Sequence, residues 1–251
     1  MFSLDKAKFL AACEIIENEG RMSDGIGTLS EKSVHAVLKM TCESYADSRE
    51  VKLGGYVADI VGEHGVIEIQ TKSFRSLREK LEAFLPLCPV TIVWPCTETL
   101  WIRYVDLKTG ETFPDRKSPL HQKPVDIFYE TYAIRDLLAH DNLHFKIARI
   151  ESVELRSVQK YKAKKHYRQL KLDRIPVNLL GEVSIESPYD WLNLLPGCES
   201  LTDCFTVKQM IEATHVDEDN VRLALKSLTA MGIVEERGKI GRARGYAFAD
   251  K

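Results

Sequence analysis

The sequence contains no apolar run of about 18 residues, the length that a membrane-spanning helix requires. Residues 1–20 interleave charged and apolar side chains at helical spacing, and they lack the unbroken apolar core of a signal peptide. No internal repeat or low-complexity tract is present among the 251 residues. These absences predict a soluble intracellular protein.

Paired cysteines are also missing, because no two of the six stand at C-x-x-C spacing. A chain of this length with scattered cysteines is not typical of a disulfide framework or a zinc site. We expect reduced, buried thiols, which favours the cytoplasm. The cysteines are Cys13, Cys42, Cys88, Cys96, Cys198 and Cys204.

An excess of one charge is lacking as well. The chain has 35 Lys and Arg against 37 Asp and Glu, a formal net charge of −2. Any binding to nucleic acid must therefore come from a local basic patch. No Ser/His/Asp or Cys/His arrangement stands out, and His121, His140 and His144 lack the spacing of metal ligands.

The apolar periodicity predicts a mixed α/β protein with a central sheet. At 44% hydrophobic residues, the chain suits one large domain or one domain with a small appendage. We expect the first helix to end at Gly20, and the two strands after residue 89 to pair with each other. The predicted elements are helices over 4–17 and 28–44, strands over 50–61 and 65–71, a helix over 76–85, strands over 90–95 and 99–106, a helix over 125–139 and a strand over 143–158.

The composition changes abruptly at Lys160, because residues 160–174 hold seven Lys or Arg against one Asp. We predict an α/β domain over 1–158, a basic linker or arm over 159–180 and a second domain over 181–251. Interleaved tyrosines favour contact with nucleic-acid phosphates, whereas a merely solvated charged face is the alternative. The predicted contacts are Lys162, Lys164, Lys165 and Arg168.

Residues 206–248 resemble a winged helix, since two short helices at helix-turn-helix spacing precede a glycine-rich hairpin. Thr206 and Asp217 are suitable N-caps for the two helices. In a winged helix the second helix enters the major groove and the wing contacts phosphate. Three acids at the start of that helix favour a packing or dimerisation module instead. The predicted nucleic-acid contacts are Arg222, Lys226, Lys239, Arg242 and Arg244, with Arg237 beside them, and the opposing acids are Asp217, Glu218 and Asp219.

Two acids interrupt the apolar strands on either side of the Gly62–Gly65 turn. If these strands pair, Asp59 and Glu68 converge at one edge of the sheet. Two carboxylates held close together repel unless a cation lies between them. Their oxygen atoms suit Mg²⁺ or Mn²⁺, so we predict a metal site for phosphodiester hydrolysis. The alternative is exposed acids paired with Lys52 or Arg49.

This pattern resembles the PD-(D/E)xK nuclease superfamily, which includes restriction endonucleases. Asp59 followed by Glu68-Ile69-Gln70 is similar to its split motif, and the next helix and strand follow in the family's order. The resemblance implies a restriction-endonuclease-like sheet flanked by helices, with Glu31 on a preceding helix assisting the metal. Gln70 replaces the family's lysine, and Lys72 is a candidate substitute. Glu31 also fits a capping box beginning at Thr28, and His35 is either a core or a site residue.

The expected function is a metal-dependent endonuclease that hydrolyses DNA, with double-stranded DNA as partner, a homodimer as an open possibility and no membrane. The expected catalytic residues are Asp59, Glu68, Gln70, Lys72 and Glu31. One alternative is a non-catalytic DNA-binding regulator built on a decayed nuclease fold. A third interpretation is a protein-interaction module in which both domains serve assembly.

Overall fold

The structure is a computed structural model that describes residues 2–22, 33–163, 166–201 and 203–249. Its sixteen named helices and strands are α1 (Lys6–Met22), α2 (Ser33–Cys42), β1 (Arg49–Leu53), β2 (Tyr56–Gly62), β3 (Gly65–Ile69), α3 (Arg78–Phe84), β4 (Val90–Val105), β5 (Arg116–Lys117), α4 (Ile127–Thr131), β6 (Leu143–Ala163), β7 (His166–Ile185), β8 (Phe205–Thr206), α5 (Val207–Thr214), α6 (Glu218–Ala230), β9 (Val234–Ile240) and β10 (Ala243–Phe248).

A mixed seven-stranded sheet with helices packed on it forms the larger part of the molecule, which confirms the α/β class. Six strands follow the order β1-β2-β3-β4-β6-β7, and the short β5 pairs with the far end of β4. β2 is antiparallel to both β1 and β3, whereas β3, β4 and β6 run parallel to one another. β7 returns antiparallel to β6.

Two of the strand predictions are wrong in their boundaries. The segment predicted as one strand over 50–61 is two strands, because Gly54 and Gly55 both adopt positive φ and turn the chain. The predicted pair of strands after residue 89 is the single strand β4. β3 pairs with β4 only as far as Val93, and β5 pairs only from Trp101. Among the described residues, Pro95 thus has a strand neighbour on one side alone, and its missing N–H is tolerated at such an open edge.

Helices α1 and α2 cover one face of the sheet. Phe9, Ala12 and Ile16 recur at spacings of three and four, and all three are buried. They pack with Val37 and Leu38 of α2 against the sheet. α1 continues to Met22, so its predicted end at Gly20 is two residues early.

The segment predicted as a basic linker or arm over 159–180 belongs to the hairpin of β6 and β7, so it is not a linker between domains. β6 and β7 form an antiparallel hairpin whose register extends from Phe145 opposite Ile185 to Ala163 opposite His166. β4 accompanies β6 only to Ser157, so β7 is the one strand partner found in the described chain for the rest of β6. The basic segment therefore forms the distal end of a β-ribbon. The larger unit ends with β7 and not near residue 158.

The C-terminal unit packs against α4, in the apolar core on the side of the sheet opposite α1 and α2. It contains α5, α6 and a three-stranded sheet of order β8-β10-β9. Thr206 accepts a hydrogen bond from the amide of Gln209, and Asp217 accepts one from the amide of Asn220, so both predicted N-caps are confirmed. Trp191, in a 3₁₀ helix between the two units, is buried at their junction.

One apolar core joins the two units. The Trp191 ring centroid lies 4.9 Å from that of Phe145 on β6 and 5.4 Å from that of Phe128 on α4. Buried residues of α6, including Leu225 and Leu228, belong to the same cluster. All six cysteines are free. Within the described segments, no helix has both the length and the apolar character needed to cross a membrane.

Candidate functional site

The β2–β3 hairpin is fixed by a close approach of two backbones. Gly65 has φ of 85°, and a Cβ atom there would lie 2.2 Å from the carbonyl oxygen of Pro89. The next amide, of Val66, donates a 2.9 Å hydrogen bond to the same oxygen. Glycine is therefore required where β3 joins β4. The resulting register places Ile60 opposite Ile67, and hence Asp59 beside Glu68.

Asp59 and Glu68 meet as the sequence predicts. The amide of Asp59 donates to Glu68 Oε1 at 3.2 Å, and the amide of Ile69 donates to Asp59 Oδ2 at 2.8 Å. Only 2% of the Glu68 side chain is exposed. The alternative of exposed acids is therefore wrong for Glu68, and Arg49 donates to the backbone carbonyls of Glu43 and Ser44.

Three cationic or titratable side chains from two helices surround this pair. Lys80 on α3 donates to both oxygens of Glu68, at 3.1 Å and 2.8 Å. From α2, His35 Nε2 lies 3.2 Å from Asp59 Oδ2, and Lys39 Nζ lies 4.0 Å from Asp59 Oδ1. His35 is thereby placed at the site.

Lys80 is the residue that the sequence prediction missed. It follows the buried Leu77 and precedes the buried Leu81 on the predicted helix. Its position at the edge of that apolar stripe is a usable signal, because a lysine there keeps its stem on the core and extends its ammonium group outwards. The partner of that ammonium group cannot be read from helical spacing, since Glu68 lies on a strand.

The two carboxyl groups have opposite pKa shifts. Burial raises the pKa of Glu68, and the nearby charge of Asp59 raises it further, against the opposing effect of Lys80. Burial also disfavours ionisation of Asp59, but hydrogen bonds from His35 and the Ile69 amide, with the charge of Lys39, bring the pKa of Asp59 below its ordinary value. Pairs of acids with separated pKa values are typical of functional sites.

Gln70 and Lys72 have other surroundings. The Gln70 side-chain amide donates to the carbonyl oxygen of Ser73 at 2.8 Å and to Ser76 Oγ at 2.9 Å, so it holds the turn before α3. Lys72 is exposed and lines a cavity beyond the end of β3. Across the described residues, no hydrogen bond or ion pair joins Lys72 to Asp59 or Glu68.

The residues that would hold a metal are two adjacent carboxylates. Carboxylate oxygens are ligands that a divalent cation prefers, so Asp59 and Glu68 supply two donors of the right chemistry, although Lys80 already contacts both oxygens of Glu68. In the segments that the structure describes, no group of three or more His, Cys, Asp or Glu could hold a metal. Glu31, the third predicted ligand, lies outside the described residues, as does its alternative role in a capping box.

Comparison with known proteins identifies the family of this region. A family model described as "Domain of unknown function (DUF8091)" matches residues 32–186, more than half of the chain. The chain belongs to this family. A protein of Treponema pallidum (strain Nichols), described as "Uncharacterized protein", is 29% identical over 229 residues, which are 88% of this chain and 86% of the relative. No solved structure matches the chain with statistical significance.

The DUF8091 region contains the whole carboxylate site, because α2, β2, β3 and α3 all lie within the match. It also contains the basic ribbon. Lys162 lies on β6 opposite Tyr167, and Arg168 lies on β7 opposite Tyr161. Lys164 and Lys165 lie outside the described residues. The DUF8091 match ends one residue after β7, so the C-terminal unit follows it.

Beyond the DUF8091 region, the predicted basic contacts are exposed but partly neutralised. Arg222 on α6 pairs with Glu218 one turn earlier, at 2.6 Å. Arg244 on β10 pairs with Glu236 across the hairpin. Lys239 and Arg242, near the tip of the hairpin, are exposed. Any contact with phosphate must compete with the two glutamates.

The second helix of the C-terminal unit also contacts the DUF8091 region. Asn220, in its first turn, donates a 2.9 Å hydrogen bond to Asp126. Further along, the Lys226 ammonium lies 5.1 Å from the ring centroid of Tyr132, over which Arg135 also lies at 4.5 Å. These contacts support the packing role that the sequence left as an alternative. The exposed side of α6 still faces an open groove lined by Arg222, Lys226 and Arg244.

Proposed function

We propose that the chain is a metal-dependent nuclease that hydrolyses phosphodiester bonds in DNA, with Asp59 and Glu68 as its metal ligands. The observation that carries the proposal is the convergence of these two acids with the ammonium group of Lys80. The order α2, β2, β3, α3 and β4 also supports the PD-(D/E)xK resemblance, although β1 is a strand that the resemblance did not predict.

Lys80 is proposed to supply the positive charge that the lysine of the PD-(D/E)xK motif would supply. Gln70 brings no positive charge and is bound to the turn before α3. Lys80 brings a cation to Glu68, one member of that carboxylate pair, from the helix that follows in the chain. A positive charge fixed at this place stabilises negative charge that develops on a phosphoryl group. We therefore assign to Lys80 the role for which Lys72 was a candidate.

A bound Mg²⁺ or Mn²⁺ would lower the pKa of a water molecule and stabilise charge on the phosphodiester. Asp59 and Glu68 would hold the ion, with Glu31 as a further candidate. His35 would orient Asp59 through its 3.2 Å contact and hold a proton at Nε2 when charged. Burial of Glu68 limits the access of bulk water to the pair.

The C-terminal unit is proposed to be a winged helix that delivers the DNA. The order α5, α6, β9, β10 and the open groove beside Arg222, Lys226 and Arg244 support this assignment. The basic end of the β6–β7 ribbon would contribute further phosphate contacts. Such contacts hold a duplex in register without reading its sequence.

A non-catalytic DNA-binding regulator is the second candidate. It is favoured by one observation, the engagement of both Glu68 oxygens by Lys80, which neutralises the acid without a metal. The two candidates differ in their need for a divalent ion. The nuclease requires it at Asp59 and Glu68, whereas the regulator binds DNA equally well in EDTA.

The deciding experiment is cleavage of supercoiled plasmid, with single-stranded and branched oligonucleotides beside it, in Mg²⁺, Mn²⁺ and EDTA. We expect wild type to cut only with metal, Asp59→Asn and Glu68→Gln to be inactive, and Lys80→Met to lose at least about a hundredfold in rate. Glu63→Gln is the matched control, because Glu63 is an exposed acid in the turn of the same hairpin.

The outcomes separate the candidates cleanly. Metal-dependent cutting that the three site variants lose and Glu63→Gln keeps would establish the nuclease. Wild type that cuts none of these substrates, yet shifts DNA in EDTA, would support the regulator. Cutting that survives in Asp59→Asn would place the chemistry elsewhere or in a contaminant.

A further inference from the structure

Two adjoining cavities lie beyond the end of β3, over the middle of β4. One, of about 280 Å³, includes Lys72 and Trp94 in its walls. The other, of about 270 Å³, includes Arg156 and His121. The cavities have five wall residues in common, so they form one trench: Thr97, Gln122, Glu154, Lys171 and Arg174. Because Lys72 follows Glu68 by four residues, the trench begins close to the carboxylate site along the chain.

A buried acid with three cations defines the second cavity. Glu154 on β6 is 3% exposed. It accepts hydrogen bonds from Arg156 Nε at 2.7 Å, from Arg174 at 3.0 Å and from Lys171 at 3.4 Å. Burial opposes ionisation of Glu154, but the hydrogen bonds from Arg174 and Arg156 outweigh it and lower the pKa of that carboxyl group. The acid is therefore ionised and fully engaged.

The charges in this cavity do not balance. Its walls hold three cations and one carboxylate, with two more positive than negative charges before His121 is counted. One carboxylate cannot use all the donors of two guanidinium groups and an ammonium group. The exposed fractions of the Arg174 and Lys171 side chains are 39% and 63%, so donors remain open to solvent. An anion with several oxygen atoms complements such a surface.

Acidic side chains at the other end of the trench show which of the two cavities is the better site for an anion. Glu130 and Asp173 line the 280 Å³ cavity only, where they oppose Lys72. Asp173 is already bound, because it accepts hydrogen bonds from the Ser33 hydroxyl and from the amide of Arg174. The excess of positive charge is thus confined to the 270 Å³ cavity.

We propose that the 270 Å³ cavity binds a backbone phosphate of a nucleic-acid strand through Arg156, Lys171 and Arg174. The inference deepens the proposed nuclease and rests on it, since it names the surface that carries the strand towards Asp59 and Glu68. Lys171 and Arg174 lie on β7 at the base of the basic ribbon, so the cavity lies next to that segment of the chain. The contacts are to phosphate, and they carry no sequence preference.

The test is the binding of a fluorescent single-stranded oligonucleotide of about 12 nucleotides in EDTA, followed by anisotropy at several salt concentrations. We expect Arg174→Gln and Lys171→Met each to weaken binding about fivefold and to reduce the salt slope by about one. Inorganic pyrophosphate should compete in wild type and compete less well in both variants. Lys171→Met leaves both arginines on Glu154, so it remains informative if Arg174→Gln folds poorly.

Arg103→Gln is the matched control. Arg103 is 39% exposed, as Arg174 is, and it is likewise paired with a carboxylate, that of Asp115. On β4 it follows Ile102, which pairs with Glu154, so side-chain alternation places it on the opposite face of the sheet. We expect its affinity and salt slope to equal those of wild type.

The two proposals can fail separately. Weakened binding in the two trench variants, together with no cleavage by wild type, would retain the phosphate site and overturn the nuclease. Unchanged binding in both variants of a chain that does cleave DNA would overturn the phosphate site alone. Wild type that binds neither the oligonucleotide nor pyrophosphate would also overturn the phosphate site.

Discussion

The ammonium nitrogen of Lys80 lies 2.8 Å from one carboxylate oxygen of Glu68 and 3.1 Å from the other. This contact joins α3 to β3 and gives a buried acid its counter-charge. Without it, Glu68 would face the charge of Asp59 in a poorly hydrated place, which strongly disfavours the ionised form. The geometry of the candidate site therefore depends on a helix that carries none of the motif residues.

Removal of Lys80 should destabilise the fold. We expect Lys80→Met to lower the free energy of unfolding by about 3 kcal/mol, because it leaves a buried carboxylate without its cation. Urea denaturation at neutral pH measures this loss. Lys208→Met is the control, since the pair of Lys208 with Glu212 spans 3.7 Å on an exposed helix face and its loss should change stability by less than about 0.5 kcal/mol.

A double variant tests the cause. Adding Glu68→Gln to Lys80→Met should restore much of the lost stability, because the uncompensated charge is then absent. If Lys80→Met and Lys208→Met had equal effects, or if Glu68→Gln and Lys80→Met were additive, the contact would not be the source of stability.

The stability contribution of Glu68 should fall as pH rises. Its pKa in the folded chain is above the ordinary value of 4.5, so the folded state binds the proton more tightly than the unfolded state does. The stabilisation is complete below that ordinary value and is lost as pH rises through the folded pKa. Urea unfolding of wild type and Glu68→Gln, from about pH 3 to about pH 7, should show the wild-type advantage shrinking over this window.

Asp59 should show the opposite pH dependence of stability, and it therefore serves as an internal control. Its folded pKa lies below the ordinary 3.8, so its contribution is present above that value and is lost as pH falls through the folded pKa. The difference between wild type and Asp59→Asn should therefore shrink on acidification. Parallel pH profiles for the two differences would contradict the assignment of a raised pKa to one acid and a lowered pKa to the other.

Two successive hairpins offer a matched pair of glycines, Gly55 between β1 and β2 and Gly65 at the start of β3. Gly55 and Gly65 both have φ of 85°, but only at Gly65 would a Cβ atom meet another group, the Pro89 carbonyl oxygen at 2.2 Å. We expect Gly55→Ala to cost about 1 kcal/mol of unfolding free energy from the backbone conformation alone. Gly65→Ala should cost about 3 kcal/mol or more, since the strand must also move. Urea denaturation of both variants measures the difference, and equal losses would rule out the steric clash.

The pairing of the two carboxylates in the candidate site could be predicted because it depends on sequence features that are close together in the chain. Period-two alternation and the Gly62–Gly65 turn bring Asp59 and Glu68 together, and both lie within ten residues of chain. Lys80 could not be assigned in this way, because its contact with Glu68 crosses from helix to strand. Helical periodicity indicates which face of α3 is buried but not which acid its edge reaches.

The errors in the fold have physical causes as well. Pro95 suggests a strand end, but β4 continues because it pairs with β6 on one side and, in the described part of the chain, no strand adjoins Pro95 on the other. The charge of residues 160–174 suggests a linker, yet these residues lie largely in β6 and β7, where backbone pairing does not require apolar side chains. The end of the larger unit depends on which strand pairs last with the sheet, and that depends on long-range contacts.

The position of Trp191 has a consequence for anyone who divides this chain. The family match ends at residue 186, five residues before an indole that contacts both Phe145 and Phe128. A fragment that ends at residue 186 would lack the Trp191 side chain, which packs on those two rings. The rings would then form an exposed apolar patch that favours aggregation. The region matched by the family model is therefore shorter than the fragment that we expect to remain monomeric in solution. Because α6 contributes Leu225 and Leu228 to the same core, a truncated protein should extend at least through α6.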